Sequence, residues 1–438
     1  MEIPKKSSAK GDVLAKLKGA REKDADWKGG RTFSLVYYAG EEVLSLLKDA
    51  SMEYFSENAL NPVAFPSLRR FETEVVSMAA NMFHLPEAVG SMTSGGTESI
   101  LMAIKTAREW GRAKGITEPE MILPITVHPA FEKAAAYFDV KPVHIPTDAA
   151  FRADLDAMKA AITKNTVILV GSAPQFPQGV VDPIDRIAAM AQEHGLLCHV
   201  DACVGGFMLP WIEKLGYPVP TWDFRVPGVT SISADIHKYG FAAKGASLVM
   251  YRTRELRRHQ FCVYGDWPGG LWLSPTAAGT RPGGPIAAAW AVMNYLGEEG
   301  YLAIAKQTLE TARKVMDGIR AIPGLRVLGE PHGSIFAFGP TETPPADAID
   351  PYVLADAMQA RGWSVDRQQF PPSLHMMITP AHAPHVDALL ADLRAAATEV
   401  RGKPAIEGSA AMYGMMGTLP DRAQVKEFLL QFLDSLDS

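Results

Sequence analysis

The sequence predicts an α/β protein: a large domain with a mainly parallel sheet flanked by helices, then a smaller C-terminal α+β domain. Three observations carry this. Between residues 120 and 252, short apolar runs alternate with helical patterns, the order that lays strands side by side in parallel. The run Asn165–Gly171 is apolar at successive positions, as expected of a strand covered on both faces. Beyond residue 320 the pattern changes to short strand-like segments between helices. With 47% hydrophobic and 21% charged residues in 438, the chain can bury a large core without metals or cross-links. The expected division is 1–60 for an N-terminal arm and helix, 61–300 for the large domain and 301–438 for the small one.

The elements follow in order. Residues 1–30, rich in Lys, Asp and Gly, read as a mobile or partner-wrapping arm. Glu41–Asn58 reads as a helix, with Val43, Leu44, Leu47 and Met52 roughly on one face. Asn61–Pro66 is a Pro-punctuated loop. Leu68–Phe83 is a second helix, and Thr93-Ser94-Gly95-Gly96-Thr97 opens a third that runs to about Ala113. Glu120–Val127 is a strand bent or broken at Pro124, and Pro129–Tyr137 a helix. After the strand Asn165–Gly171 come the helix Pro183–His194 and the strands Leu196–Ala202, Thr230–Ala234 and Ser247–Arg252.

Gly265–Pro285 carries Trp267, Trp272 and several prolines without periodicity, so it reads as a long irregular loop of the kind that is usually functional. Pro285–Leu296 and Gly300–Ile319 are helical, the second crossing into the C-terminal domain. There Leu325–Phe338, Gly362–Arg367 and Met376–Thr379 are strand-like, while Pro384–Ala397 and Gln424–Leu436 are helical. The proline of the former stands at the first turn, where it is tolerated.

Composition narrows the function. Lys and Arg number 43 against 49 Asp and Glu, a net charge of −6, so no nucleic-acid partner is expected. Apolar stretches such as Leu101–Ile104 and Thr166–Val170 fall far short of the ~20 residues that span a bilayer. Met1–Lys10 is basic and polar, unlike a secretory signal. Cys198, Cys203 and Cys262 cannot all pair and lack metal-ligand spacing, so no metal is expected and a reducing cytoplasm is the simplest compartment.

Four pieces carry chemistry. Ser94, Gly95, Gly96 and Thr97 stand at a helix start, where backbone N–H groups and the helix dipole can hold an anion; an ordinary N-cap in a glycine-shaped turn is the alternative. The strand before Asp201 ends on that carboxylate, at the sheet edge where α/β proteins bind ligands; a helix N-cap is its alternative. Lys238, in Ser233-Ala234-Asp235-Ile236-His237-Lys238-Tyr239-Gly240, follows another short strand and is either a Schiff-base lysine or a turn lysine. His128 falls at the same edge, as a ring-facing or a structural residue. An anion cradle, a strand-end Asp and a strand-end Lys, in that order, match what pyridoxal phosphate requires: a phosphate seat, a carboxylate for the ring nitrogen and an amine for the aldehyde. The Asp201–Lys238 separation, 238 − 201 = 37, leaves room for one crossover helix between adjacent strands.

These motifs resemble a known family. Thr93–Met102 (TSGGTESILM), Gly171–Pro183 (GSAPQFPQGVVDP), His199–Phe207 (HVDACVGGF), Ser231–Tyr251 (SISADIHKYGFAAKGASLVMY), Asp266–Gly284 (DWPGGLWLSPTAAGTRPGG) and Tyr413-Gly414-Met415 are similar to fold-type I pyridoxal-phosphate enzymes of the group II decarboxylase superfamily. Within it they most resemble the sphingosine-1-phosphate lyases, of the soluble bacterial type because no N-terminal anchor is seen. The likeness runs from about Phe33 to the C-terminus.

The resemblance implies roles by position. Lys238 is the Schiff-base lysine. Asp201 pairs with the pyridine nitrogen, His128 stacks on one ring face, and Cys203 lies near the other. Ser94, Gly95, Gly96, Thr97 and His237 surround the cofactor phosphate, and Thr280 reaches it from a second subunit. Tyr37, Asn58, Asn61, Lys244 and Tyr413 line the substrate site, with Tyr37 and Lys244 clamping its phosphate. An obligate homodimer with shared active sites is implied. So is retro-aldol cleavage of a phosphorylated long-chain base to a fatty aldehyde and phosphoethanolamine. Amino-acid decarboxylation on the same scaffold is the alternative. One departure is Asn61, where the family has a histidine. Asn cannot carry a proton as imidazole does, which leaves His128 or the substrate's own phosphate as the base.

Overall fold

The structure, a computed structural model, describes residues 2–61, 63–342, 347–403 and 408–436. Pro62 of the predicted loop lies outside them. In chain order the large domain contains α1 (Lys10–Ala20), α2 (Glu41–Glu53), α3 (Pro66–Met82), β1 (Val89–Thr93), α4 (Gly96–Ala113), β2 (Glu120–Pro124), α5 (Ala130–Phe138) and β3 (Lys141–Ile145). It continues with α6 (Leu155–Ala160), β4 (Thr166–Ser172), α7 (Ile184–Glu193), β5 (Leu197–Asp201), α8 (Leu209–Lys214), β6 (Ser231–Ala234) and β7 (Ser247–Tyr251). The seven strands lie in the order β1-β7-β6-β5-β4-β2-β3. β3, β2, β4, β5 and β6 pair in parallel, and β7 runs antiparallel to both its neighbours.

Every residue of β4 and β5 is buried, which is why these segments are apolar without alternation. The single short helix α8 lies in the crossover from β5 to its parallel neighbour β6, as the Asp201–Lys238 spacing anticipates. Two edge strands carry no sequence signal. β1 contains Gly90 and Ser91 instead of a β-branched run, and β3 carries Pro142 and stays largely exposed, as an edge position allows. β2 ends at Pro124, three residues short of the predicted end at Val127.

Other boundaries differ for local reasons. The predicted loop Gly265–Pro285 contains the turn and second strand of a hairpin, β9 (Trp272–Ser274) pairing with β8 (Cys262–Tyr264) just before it, which follows the short α9 (Arg254–Arg258). The two predicted helices across 285–319 join as α10 (Gly283–Arg320), kinked at Gly297, whose φ of 54° and ψ of −171° suit glycine. The predicted arm holds α1, which buries no residue.

In the small domain, the predicted strand Leu325–Phe338 folds back into β10 (Leu325–Leu328) and β11 (Ile335–Pro340). Then come α11 (Pro351–Gln359), β12 (Asp366–Gln369), β13 (Pro372–Met377), α12 (Val386–Val400), α13 (Gly408–Thr418) and α14 (Arg422–Ser435). Asp350 caps α11 by accepting from the Tyr352 and Val353 amides, with Pro351 at the first position. The four-stranded sheet, β10-β11-β13-β12, is antiparallel throughout.

The core of the large sheet is built of two clusters, one on each face, with Ile122 and Leu169 in one and Leu123 and Val170 in the other; a second core holds Phe336, Phe338, Leu374 and Leu393. Phe33, far away in sequence, belongs to the second and stacks on His382 with ring centres 4.7 Å apart. No helix among the described residues is long and apolar enough to cross a membrane.

Candidate active site

The C-terminal ends of β5 and β6 and the N-terminus of α4 meet at one place. β1 delivers the chain to Gly95, which caps α4, so the first free N–H groups of that helix face the strand ends. Gly96 is small for a steric reason. A β-carbon there would lie 2.7 Å from Asp235 Oδ2 and 2.8 Å from Cys203 Sγ. A β-carbon at Gly95 would meet His237 Cε1 at 3.5 Å, an ordinary contact. Ser94 directs both its amide and its hydroxyl to Glu98 Oε2, each at 2.7 Å. Glu98 is buried and also accepts from the Ala277 amide at 3.0 Å, which ties the cradle to the loop after β9.

Asp201 closes β5 and is buried. Its Oδ1 accepts from the Cys203 amide at 3.0 Å and from Ser233 Oγ at 3.1 Å. Lys238, in the turn after β6, holds its Nζ 2.8 Å from Asp235 Oδ2. Burial is the largest effect on Lys238 and lowers its pKa, but Asp235, joined by Cys203 and Asp201, outweighs it and holds the lysine above its ordinary value. Burial would likewise raise Asp235, yet Lys238 and His237 bring it below the usual carboxylate range. Burial keeps Cys203 a neutral thiol, its pKa pushed well up. His128 lies close enough to feel the charges of Asp201, Lys238 and Asp235, but burial dominates and lowers its pKa. Its Nδ1 accepts from the Ala130 amide at 3.1 Å.

A cavity of about 570 Å³ opens beside this cluster, lined by His237, Lys244 and Tyr37 and walled by Val43, Leu47 and Phe241. Lys244 Nζ lies 5.5 Å from the centre of the Tyr37 ring. Burial, then the neighbouring Lys238, lowers the pKa of Lys244. Tyr37 stands edge-on to Tyr239, with ring centres 4.8 Å apart, and burial raises its pKa well above the ordinary value, so its hydroxyl keeps its proton.

The predicted residues thus divide. Gly95, Gly96, Asp201, Cys203, His237 and Lys238 form one cluster, with His128 within its field and Tyr37 and Lys244 at the adjoining cavity. Ser94 and Thr97 stand at the helix start, the former engaged with Glu98. Asn58 and Asn61 lie on the α2–α3 connection, where Asn58 bridges Pro282 and the Ala59 amide donates to Arg281 O at 2.8 Å. Asn61 is exposed and accepts from the Val63 amide at 2.9 Å. Exposed Thr280 is on the facing strand of chain, so these three form a second group. Tyr413 of α13 packs against Tyr352 of α11, ring centres 5.8 Å apart, in the small domain. Sequence reasoning missed Asp235 and Glu98, although both stand inside the quoted motifs. Nothing in a motif shows which of its polar residues turns inward.

The cluster fits a phosphorylated aldehyde cofactor. His237 Nδ1 and Asp235 Oδ1 are buried without a hydrogen-bond partner, Gly95 and Gly96 leave space at a helix N-terminus, and Lys238 offers an amine. Among the described residues no group of three or more His, Cys, Asp or Glu could hold a metal ion.

Comparisons agree with this chemistry. Residues 25–339 match the pyridoxal-dependent decarboxylase conserved domain. The sphingosine-1-phosphate lyase of Arabidopsis thaliana is 44% identical over 97% of this chain and 79% of its own length. Sphingosine-1-phosphate lyase 1 of Rattus norvegicus is 43% identical over 100% of this chain and 77% of its own. The solved structure of a Burkholderia pseudomallei sphingosine-1-phosphate lyase superposes with a TM-score of 0.91 at 39% identity, covering 100% of this chain and 97% of that one. Glutamate decarboxylase of Lactobacillus brevis, 21% identical with a TM-score of 0.79 over 93% and 97% of the two chains, shares the fold.

Proposed function

The chain belongs to the pyridoxal-dependent decarboxylase family and, within it, to the sphingosine-1-phosphate lyases, and on that footing we propose that it cleaves sphingosine 1-phosphate and similar phosphorylated long-chain bases. The products are a fatty aldehyde and phosphoethanolamine. The observation that carries the substrate reading is Lys244 beside Tyr37 at an apolar-walled cavity that adjoins His237. Lys244 Nζ lies over the Tyr37 ring, whose hydroxyl donates to Met377 Sδ; a cation at the cavity suits a phosphate head, and apolar walls suit a chain.

Bound pyridoxal phosphate supplies the electron sink for the carbanion left when the carbon–carbon bond breaks. The residues do the rest. Amides at the start of α4, with His237, hold the cofactor phosphate. Asp201 would hold the proton of the ring nitrogen, Lys238 Nζ would be the amine that holds the aldehyde, and His128 and Cys203 would line the ring on either side. Lys244 Nζ and Tyr37 Oη hold the substrate phosphate, which orients the hydroxyl-bearing carbon towards the ring. Asn58, Asn61 and Tyr413 belong to the substrate surroundings.

The same reading makes the enzyme an obligate homodimer in the cytoplasm, with Thr280 of each subunit reaching its partner's cofactor phosphate. Exposed apolar side chains on the segment before Thr280 support it: Val263, Leu271 and Leu273 are 72%, 85% and 55% exposed. Three unpaired cysteines suit a reducing compartment. The division 1–60, 61–300 and 301–438 goes with this reading; the cluster around Phe336 and Leu374 supports it, being drawn from residues beyond 300 apart from Phe33. Sedimentation should find a dimer, and an active monomer would contradict this.

The deciding experiment is product analysis with sphingosine 1-phosphate and with a panel of amino acids. Fatty aldehyde and phosphoethanolamine are expected from the first. Carbon dioxide from an amino acid, with no aldehyde from the lipid, would make the enzyme a decarboxylase instead.

A further inference from the structure

Asp235 has no role in the cleavage scheme, yet its placement is the most constrained in the site. It stands three residues before Lys238 and is 2% exposed. Its Oδ2 lies 2.8 Å from Lys238 Nζ and 3.8 Å from His237 Nε2. Its Oδ1 is buried without a hydrogen-bond partner. Gly96 leaves room for the carboxylate where any side chain would collide with it. A buried carboxylate touching an ammonium is a strong counter-ion, because little water screens the pair.

The other groups that bear on Lys238 do not replace it. Asp201 is engaged by the Cys203 amide and Ser233. Burial holds Cys203 and Tyr239 in their neutral forms, and burial lowers His128 and His237. Lys244 is a like charge and opposes a second ammonium.

We infer that Asp235 is a positioning residue for cofactor capture, which holds the free amine of Lys238 as an ammonium so that the lysine must release a proton before it can bond an aldehyde. In the bonding step the neutral nitrogen attacks the aldehyde carbon. A carbon–nitrogen double bond forms, and the carbonyl oxygen leaves as water with the two amine hydrogens. The neutral fraction falls tenfold for each pH unit below the lysine's pKa. Without Asp235, the strongest of the groups that raise the Lys238 pKa is gone, and burial, the largest effect, lowers it against the weaker pull of Asp201 and Cys203. The inference concerns the cofactor of the family and is independent of which substrate is cleaved.

The test removes the cofactor from the full-length chain by dialysis and follows uptake of pyridoxal 5′-phosphate and, separately, of pyridoxal, by absorbance from about pH 6.5 to 9.5. In the native chain both rates should rise close to tenfold per pH unit. In Asp235→Asn both should increase at least about tenfold at neutral pH and level off at lower pH, while Asp235→Glu keeps the native dependence. An unchanged profile in Asp235→Asn overturns the inference. So does acceleration of the phosphorylated aldehyde alone, which would put Asp235 on the phosphate. If Asp235→Asn does not fold, acetic anhydride labelling of Lys238 in the native chain, read by peptide mass spectrometry, decides instead. The labelling rate should still rise at about pH 10, and levelling off below that overturns the inference.

Discussion

Gly96 and Asp235 meet so closely that a β-carbon on residue 96 would stand 2.7 Å from the carboxylate. The contact joins the N-terminus of α4 to the turn after β6 and fixes the depth of the anion cradle. Gly96→Ala should therefore shift Asp235 or the helix, and overpacking of this kind costs about 1–3 kcal/mol. We expect the dissociation constant for pyridoxal phosphate to rise about tenfold or more by absorbance titration. Gly95→Ala, with its nearest neighbour at 3.5 Å and an extended backbone, should change it several-fold less.

Lys238→Ala should abolish the absorbance of the covalently bound cofactor, together with turnover. If Lys244→Ala removes that absorbance and Lys238→Ala does not, the two lysines have been assigned the wrong way round.

Asp201→Ala should leave cofactor bonding possible and lower turnover about ten- to a hundredfold. A charge-assisted buried bond is worth ~1.5–3 kcal/mol, and each ~1.36 kcal/mol on a barrier is tenfold in rate. Near-normal turnover would take Asp201 away from the ring nitrogen.

Lys244 should show itself in pH dependence. Burial and the neighbouring Lys238 lower its pKa, so its positive charge is present below that lowered value and is lost as pH rises through it. Substrate binding should weaken on the alkaline side earlier than an ordinary lysine would dictate. In Lys244→Ala, KM should rise about tenfold or more at neutral pH, and this alkaline step should vanish from the kcat/KM profile. A step that persists in the variant belongs to another group.

Asn61 cannot act as a base, and His128 is poorly placed to do so. The Ala130 amide donates to its Nδ1, which puts the proton of the neutral ring on the other nitrogen. On the proposed function, the substrate phosphate, with a second pKa of about 6, is then the group expected to take the hydroxyl proton. Native activity is expected, and Asn61→His should alter the rate or its pH profile by about tenfold or less, below the usual contribution of a positioned base. A native chain unable to cleave sphingosine 1-phosphate, beside an Asn61→His variant that cleaves it well, would point to a different native substrate.

The sequence by itself determined the strands that are covered on both faces, because burial writes an unbroken apolar run such as Thr166–Val170. It also placed the glycine turn, Asp201 and Lys238 together, because each stands next to a strand or helix end that marks it. It could not mark β3, an edge strand that stays partly exposed, nor β1, which is buried throughout yet built of Val89, Gly90, Ser91, Met92 and Thr93 without an apolar run. Nor could it show that Phe33 packs some 350 positions away against His382, since no local pattern records a contact between distant parts of the chain. The role of Asp235 was decided by tertiary structure alone. Its neighbours in sequence only place it in a turn; the close approach of Gly96 and the folding back of Lys238 turn that carboxylate into a buried counter-ion.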